Sequence, residues 1–475
     1  MTNDQPLYSL IASSIAATPQ QRITFAEYMD LALYHPQYGY YATDAVNMGS
    51  PKGDFFTSLH LGKDFGELLA EQLVQIWHIL GQPTPFTLME MGAGQGLLAA
   101  DILTYLHSSH PDCFAAVEYL IVEKAAGLIS QQQRLLRKLP LPTADNNVRS
   151  ACSSASLSLP VRWCTLDEIP ENSLIGCCFS NELVDALPVH QFVLQQGELR
   201  EIYVTTQGEE GDKGDKGDKG GKGGKGDKGG KGGKGGKGDK GDKGGKGDKE
   251  DKETREIFPD SQSPIPNSQF PLQEVTDTPS TPRLKEYFDL VGIDLFSGAY
   301  PDGYRSEVNL AALDWINNVA KRLQRGFLLT IDYGYSAERY YLPARHQGTL
   351  QCYYQHRHHD DPYWNVGQQD ITAHVNFTAL ERQGELCGLQ KVGFTKQALF
   401  LMALGLGNRL TALSAFDEVR GQAIATGKDV LTIMQRRQVL HQLIDPMGLG
   451  GFGVLVQSKG LTEEEGKIEL KGLVG

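Results

Sequence analysis

The sequence predicts an α/β fold built on an open, mostly parallel sheet with crossover helices, and three observations predict it. The first is the apolar run Phe86 to Met89, which ends in Glu90 and is followed by Gly92, Gly94 and Gly96 before a helical pattern begins near Leu97. Glycines allow the sharp turn from strand to helix and leave bare backbone against which a ligand can lie. The second is repetition of the device: apolar runs from Tyr119, Ile175 and Phe327 lead to Glu123, Asn181-Glu182 and Asp332. In open α/β sheets ligands bind beyond the carboxyl ends of the strands, so four acids at four successive strand ends mark one functional edge. The third is helical periodicity between the runs, as over Leu97–Leu106 and Val308–Leu323, the latter with Asn309 as cap.

The spacing of the glycines narrows the ligand. A dinucleotide fingerprint needs G-x-G-x-x-G, and from Gly92 and Gly94 the third glycine falls at 97, where the chain has Leu97. A nicotinamide-dependent oxidoreductase is therefore the weaker alternative. Glu123, somewhat over twenty residues past the glycines, is placed to accept hydrogen bonds from ribose hydroxyls.

Composition limits the function classes. With 475 residues and 40% hydrophobic content, the chain can build a large core with insertions. The formal charge of -13 hides a split, because residues 211–252 hold fourteen Lys against eight Asp and one Glu. The remainder is therefore more acidic than the total, which disfavours nucleic-acid binding and favours protein or small-molecule substrates. Seven cysteines without a C-x-x-C pair suggest neither a disulfide framework nor a structural zinc site, and the expected setting is a reducing cytoplasm. Leu7 to Ala17 is mildly apolar with no Lys or Arg before it, so neither a secretory nor a mitochondrial presequence is expected, and no run is long enough to insert in a membrane.

In chain order, residues 1–84 read as a helical N-terminal region, with a helix around Phe25–Tyr34 ended by His35-Pro36 and a second over Phe65–Trp77. Between them lie Tyr38-Gly39-Tyr40-Tyr41 and the glycine-led Asp54, Thr57 and Ser58, a loop suited to a polar ligand or a helix cap. Residues 85–205 form the first part of the core. A Gln- and Arg-rich helix follows Ser130, a strand covers Val161–Cys164, and Asp167 and Glu168 read as surface loop charges. Directly after the fourth strand, Asn181, Glu182 and Asp185 are the candidates for positioning a nucleophile, since a carboxylate can hold a cationic substrate or take its proton. His190–Leu194 and Leu199–Val204 then read as a hairpin. Residues 206–283 are predicted as a disordered, low-complexity insertion whose Gly-Asp-Lys repeat imitates collagen spacing but lacks proline over 211–252. Residues 284–346 resume the core, 347–445 read as a helical substrate or lid lobe, and 446–475 hold a last strand at Phe452–Ser458. The group His356, His358, His359, Asp360 and Asp361 lacks metal-site spacing and reads as solvated loop side chains.

Six motifs in order now carry a resemblance: the tyrosine and Gly-Asp segments near the start, E-M-G-A-G-Q-G at 90–96, S-N-E-L-V-D-A-L-P-V-H at 180–190, T-I-D-Y-G-Y at 330–335 and D-I-T-A-H-V-N-F at 370–377. Together they resemble the MidA family, also called the NDUFAF-seven-type family, of class I S-adenosylmethionine-dependent methyltransferases. The resemblance covers nearly the whole chain outside roughly 205–285. It implies a Rossmann-like seven-stranded methyltransferase sheet with a helical addition, S-adenosyl-L-methionine as cofactor, and arginine methylation of a protein, which mitochondrial members use in support of respiratory complex I assembly. On that reading Glu90, Gly92, Gly94, Gly96 and Glu123, with Asp54, Thr57 and Ser58, serve the cofactor. Asn181, Glu182, Asp185 and Asp332 serve catalysis and the basic substrate segment. The lysine-glycine insertion departs from the family pattern, and so does the expected lack of a mitochondrial presequence, which points to a bacterial-type or otherwise cytoplasmic member with a different target. A non-catalytic assembly factor that keeps the cofactor fold is the other alternative, and the reading allows a homodimer.

Overall fold

Seven strands form the central sheet: β1 (Phe86–Met91), β2 (Val117–Val122), β3 (Val161–Cys164), β4 (Leu174–Asn181), β5 (Leu323–Asp332), β6 (Gln390–Lys396) and β7 (Gly453–Lys459). Their spatial order is β6-β7-β5-β4-β1-β2-β3. β1 pairs in parallel with β2 and β4, β2 with β3, and β4 with β5, while β7 runs antiparallel to β5 and β6. Strand order reverses between β1 and β4, which fixes the ligand edge of the sheet there. This computed structural model describes residues 5–42, 62–139, 160–206, 272–355, 357–420 and 427–474.

The apolar runs form strands because alternate side chains can enter two cores. Phe86, Leu88, Tyr119, Ile121, Cys177, Phe179, Leu329 and Ile331 pack on one face against the helices Asp64–Ile79 and Leu97–Ser109. Met89, Met91, Leu120, Cys178 and Leu328 pack on the other, against Leu310–Arg322 and Phe377–Leu386. The parity of each strand decides where its polar residues go: Glu90 shares the face of Leu88, and Asp332 shares that of Leu328.

Local signals place the helix ends. Thr24 and Glu27 form a reciprocal cap at the start of Phe25–Tyr34, and the chain leaves that helix at His35, before Pro36. Asn309 accepts the Ala312 N–H at 2.8 Å and starts Leu310–Arg322. The hairpin of His190–Gln195 and Glu198–Thr206 belongs to a second sheet with Ile23–Thr24, Leu272–Asp277 and Arg305–Val308.

Three expectations change. Leu272–Asp277 is a strand paired with Glu201–Thr206, so the stretch predicted as linker ends before residue 272. The region predicted as a continuous helical lobe contains β6, an edge strand of the central sheet, and a three-stranded sheet of Gln351–Tyr354, Arg357–His359 and Asp370–Thr372. His358 and His359 accordingly lie on a strand rather than in a loop; His356 is outside the described residues. Among the described residues no group of three or more His, Cys, Asp and Glu side chains could hold a metal, and no helix is long and apolar enough to cross a membrane.

Candidate active site

The glycine turn closes β1 with three left-handed residues, Gly92 at φ +73°, Gly94 at +51° and Gly96 at +83°. Side chains with a Cβ adopt this region at a cost of roughly 1–2 kcal/mol each. Gly96 is also the first boundary residue of the helix Leu97–Ser109 and carries no side-chain cap, so the N–H groups of the first turn face the carboxyl edge of the sheet. A Cβ on Gly92 would meet Leu183 Cδ1 at 2.8 Å. The turn after β1 is thus packed directly under the segment after β4, and two motifs ninety residues apart in the chain share one place.

The acids do not all lie where the sequence suggests. Glu90 is inside β1 rather than beyond it, only 2% exposed, and accepts the Tyr119 hydroxyl at 2.6 Å. Burial pushes its carboxyl up to about 7. It joins β1 to β2 through Tyr119, within the core and away from a ligand at the strand end. Glu123, half-buried just after β2, accepts the N–H groups of Lys124 and Ala125 through Oε1, both at 2.9 Å, and burial raises its pKa. Its Oε2 accepts from Gln132 Nε2 at 3.3 Å. Gln132 and Trp163, which completes this network, were not candidates in the sequence.

Beyond β4 the chain forms a short turn whose donors converge on Asp332. Asp332 Oδ2 accepts the N–H groups of Leu183, Val184 and Asp185 at 3.2, 2.8 and 3.3 Å, and Oδ1 accepts that of Tyr333 at 2.7 Å. The residue is fully buried, so it does not face a substrate as a catalytic group would; it holds the turn after β4. Burial, followed by the neighbouring Asp185, pushes Asp332 up, opposed by the N–H groups of Tyr333 and Val184. Asp185, half-buried, is pushed up to about 7 by burial.

Asn181 and Glu182 stand at the head of this turn. Glu182 has φ +53°, a left-handed conformation that costs a non-glycine residue about 1–3 kcal/mol and accumulates at functional sites. Asn181 Nδ2 donates to Glu182 Oε1 at 3.1 Å, while the buried Asn181 Oδ1 has no partner among the described residues. An acceptor desolvated without a donor costs about 1–3 kcal/mol, so it is placed to meet one from a ligand.

Aromatic side chains close the site from the N-terminal region and from the D-I-T-A-H segment. Tyr34 donates to the Ala186 carbonyl at 2.8 Å and stacks on Tyr41, ring centroids 5.3 Å apart. The Tyr41 hydroxyl reaches both oxygens of Asp370 at 3.0 Å, and the Ala373 N–H donates to the Asp185 carbonyl at 2.9 Å. Burial, then the charges of Asp185 and Asp370, push the Tyr353 hydroxyl up to about 12. His374 lies between the rings of Tyr333 and Tyr335, 4.1 and 5.0 Å away, and burial followed by Arg345 lowers it to about 3. It is neutral at physiological pH. The tyrosine motif was visible in the sequence; its meeting with Asp370 was not. Asp54, Thr57 and Ser58 lie outside the described residues.

This arrangement fits S-adenosyl-L-methionine: uncapped helix N–H groups, a turn too close to Leu183 for a side chain at Gly92, Glu123 at the next strand end, and the unpartnered Asn181 oxygen all meet one edge.

Comparison with known proteins agrees. Residues 68–395 match a family model described as "Putative S-adenosyl-L-methionine-dependent methyltransferase". A Drosophila melanogaster protein named protein arginine methyltransferase NDUFAF7 homolog, mitochondrial, is 26% identical over 86% of this chain and 78% of its own length. Mouse protein arginine methyltransferase NDUFAF7, mitochondrial, is 33% identical over 38% of this chain and 42% of its own length, so the chain matches less than half of that protein. A Burkholderia thailandensis structure bound to S-adenosyl-homocysteine superposes with TM-score 0.70 at 26% identity, covering 99% of this chain and 95% of that one.

Proposed function

The chain belongs to this family of S-adenosyl-L-methionine-dependent methyltransferases, and on that premise we propose that it methylates an arginine guanidinium of a protein substrate. The observation that supports the proposal is the packing of the turn Asn181–Asp185 on the glycine turn through Leu183 and Gly92; on this reading Glu182 and Asp185 serve beside the cofactor.

When bound, the cofactor supplies a sulfonium methyl group; the chain supplies alignment. The glycine turn, the first turn of Leu97–Ser109 and Glu123 hold it. Glu182 and Asp185 hold a cationic side chain, Asn181 fixes Glu182, and Asp332 fixes the turn that bears all three. The guanidinium nitrogen gains a carbon and must lose a proton, and Asp185, at about 7, can accept it. Tyr34 and Tyr41 offer ring faces suited to a planar cation. The names of the fruit-fly and mouse relatives support arginine as the accepting residue.

The test is incubation of the protein with methyl-labelled S-adenosyl-L-methionine and a cell extract, followed by digestion and mass spectrometry. Label on arginine supports the reading. Label confined to a small molecule or to lysine overturns it.

A further inference from the structure

Gln132 is fully buried on the helix Ala126–Leu136, between two other glutamines. Its amide is used at both ends. Nε2 donates to the Gly94 carbonyl at 2.8 Å and to Glu123 Oε2 at 3.3 Å, and Oε1 accepts the Trp163 Nε1–H at 2.8 Å. The same side chain packs against the last glycine of the turn, where a Cβ on Gly96 would lie 3.2 Å from Gln132 Cγ. One amide therefore touches the turn after β1, the acid after β2 and the tryptophan of β3. A buried amide carries a desolvation cost that an apolar residue of similar volume would avoid, so its retention calls for a reason beyond filling space.

We propose that Gln132 is a positioning residue for the methyl donor: it fixes the Gly94 peptide and orients the Glu123 carboxylate so that the lone pairs left on Glu123 meet the donor's ribose hydroxyls. This rests on the S-adenosyl-L-methionine reading. Gln132 touches neither donor nor substrate in this scheme and acts through Gly94 and Glu123. Trp163 acts one step further out, by holding the amide in the rotamer that points Nε2 at both acceptors.

The experiment is calorimetric titration of S-adenosyl-homocysteine into the full chain and into Gln132→Met, Glu123→Gln, the double variant and Trp163→Phe. Gln132→Met should weaken binding roughly tenfold, with KM for the donor rising and kcat at saturation nearly unchanged. In the double variant the loss should be close to that of Glu123→Gln alone, because the two substitutions break one coupled element. A purely structural glutamine would lower thermal stability without this coupling. Unchanged affinity in folded Gln132→Met, or fully additive losses, overturns the proposal. If Gln132→Met does not fold, Trp163→Phe decides: a weakening of about threefold supports the proposal and unchanged affinity overturns it. Absence of binding by the unsubstituted chain would instead overturn the methyl-donor reading itself.

Discussion

Replacing Asp332 by Asn tests whether one buried carboxylate holds the candidate catalytic turn. The four donors to Asp332 lie at 2.7–3.3 Å, three on Oδ2 and one on Oδ1. The asparagine amide will set its oxygen towards the three donors, leaving the Tyr333 N–H opposite an NH₂ group. A buried donor without an acceptor costs about 1–3 kcal/mol, and a destabilisation of that size is expected. The assay is denaturant unfolding of both proteins near neutral pH without ligand, paired with methyl-transfer rates. Turnover should fall by well over tenfold, because displacement of the turn misplaces Glu182 and Asp185 at the reacting centre. An unchanged unfolding free energy with full turnover would refute the assignment of Asp332 as the anchor of the turn.

Other outcomes follow from the same geometry. With Asp185 pushed up to about 7 and needed as a carboxylate, kcat/KM should rise with pH through about 7, and Asp185→Asn should lose that limb in a rate-against-pH profile. Glu90 binds its proton more tightly folded than unfolded, since burial raises it from 4.5 to about 7. Its contribution to stability is therefore greatest below the unfolded value and is lost as pH rises through about 7. Glu90→Gln should remove about 3 kcal/mol of this pH dependence, read by unfolding at pH values on either side of the window. Gly92→Ala combines a left-handed φ of +73° with a 2.8 Å approach to Leu183 Cδ1, and titration with S-adenosyl-homocysteine should show at least a roughly tenfold loss of affinity.

Much of the core was legible because its physics is local. Apolar runs that end in acids gave β1, β2, β4 and β5, and a single Asn before an amphipathic stretch gave the start of Leu310–Arg322. The misreadings came where tertiary pairing decides. Leu272–Asp277 is a polar stretch that becomes a strand by lying against Glu201–Thr206, and β6 is half-exposed and interrupted by Gly393, so neither has a period of its own. The site divides the same way. Asn181, Glu182 and Asp185 could be found from their position after a strand, whereas the inward direction of Glu90 and Asp332 depends on strand parity within the assembled sheet. The Tyr41–Asp370 pair joins residues 329 positions apart, and Gln132 differs from its neighbours Gln131 and Gln133 only in burial. No local pattern distinguishes these residues.

Whether the Asn181–Asp185 turn acts on an arginine beside bound S-adenosyl-L-methionine is decided by measuring S-adenosyl-homocysteine affinity and labelled methyl transfer together in the unsubstituted chain and in Glu182→Gln. Both should bind the cofactor product with similar affinity, and only the unsubstituted chain should place label on arginine at an appreciable rate. Equal transfer by Glu182→Gln, or cofactor binding by the unsubstituted chain with no transfer to any protein, would contradict this role of the turn.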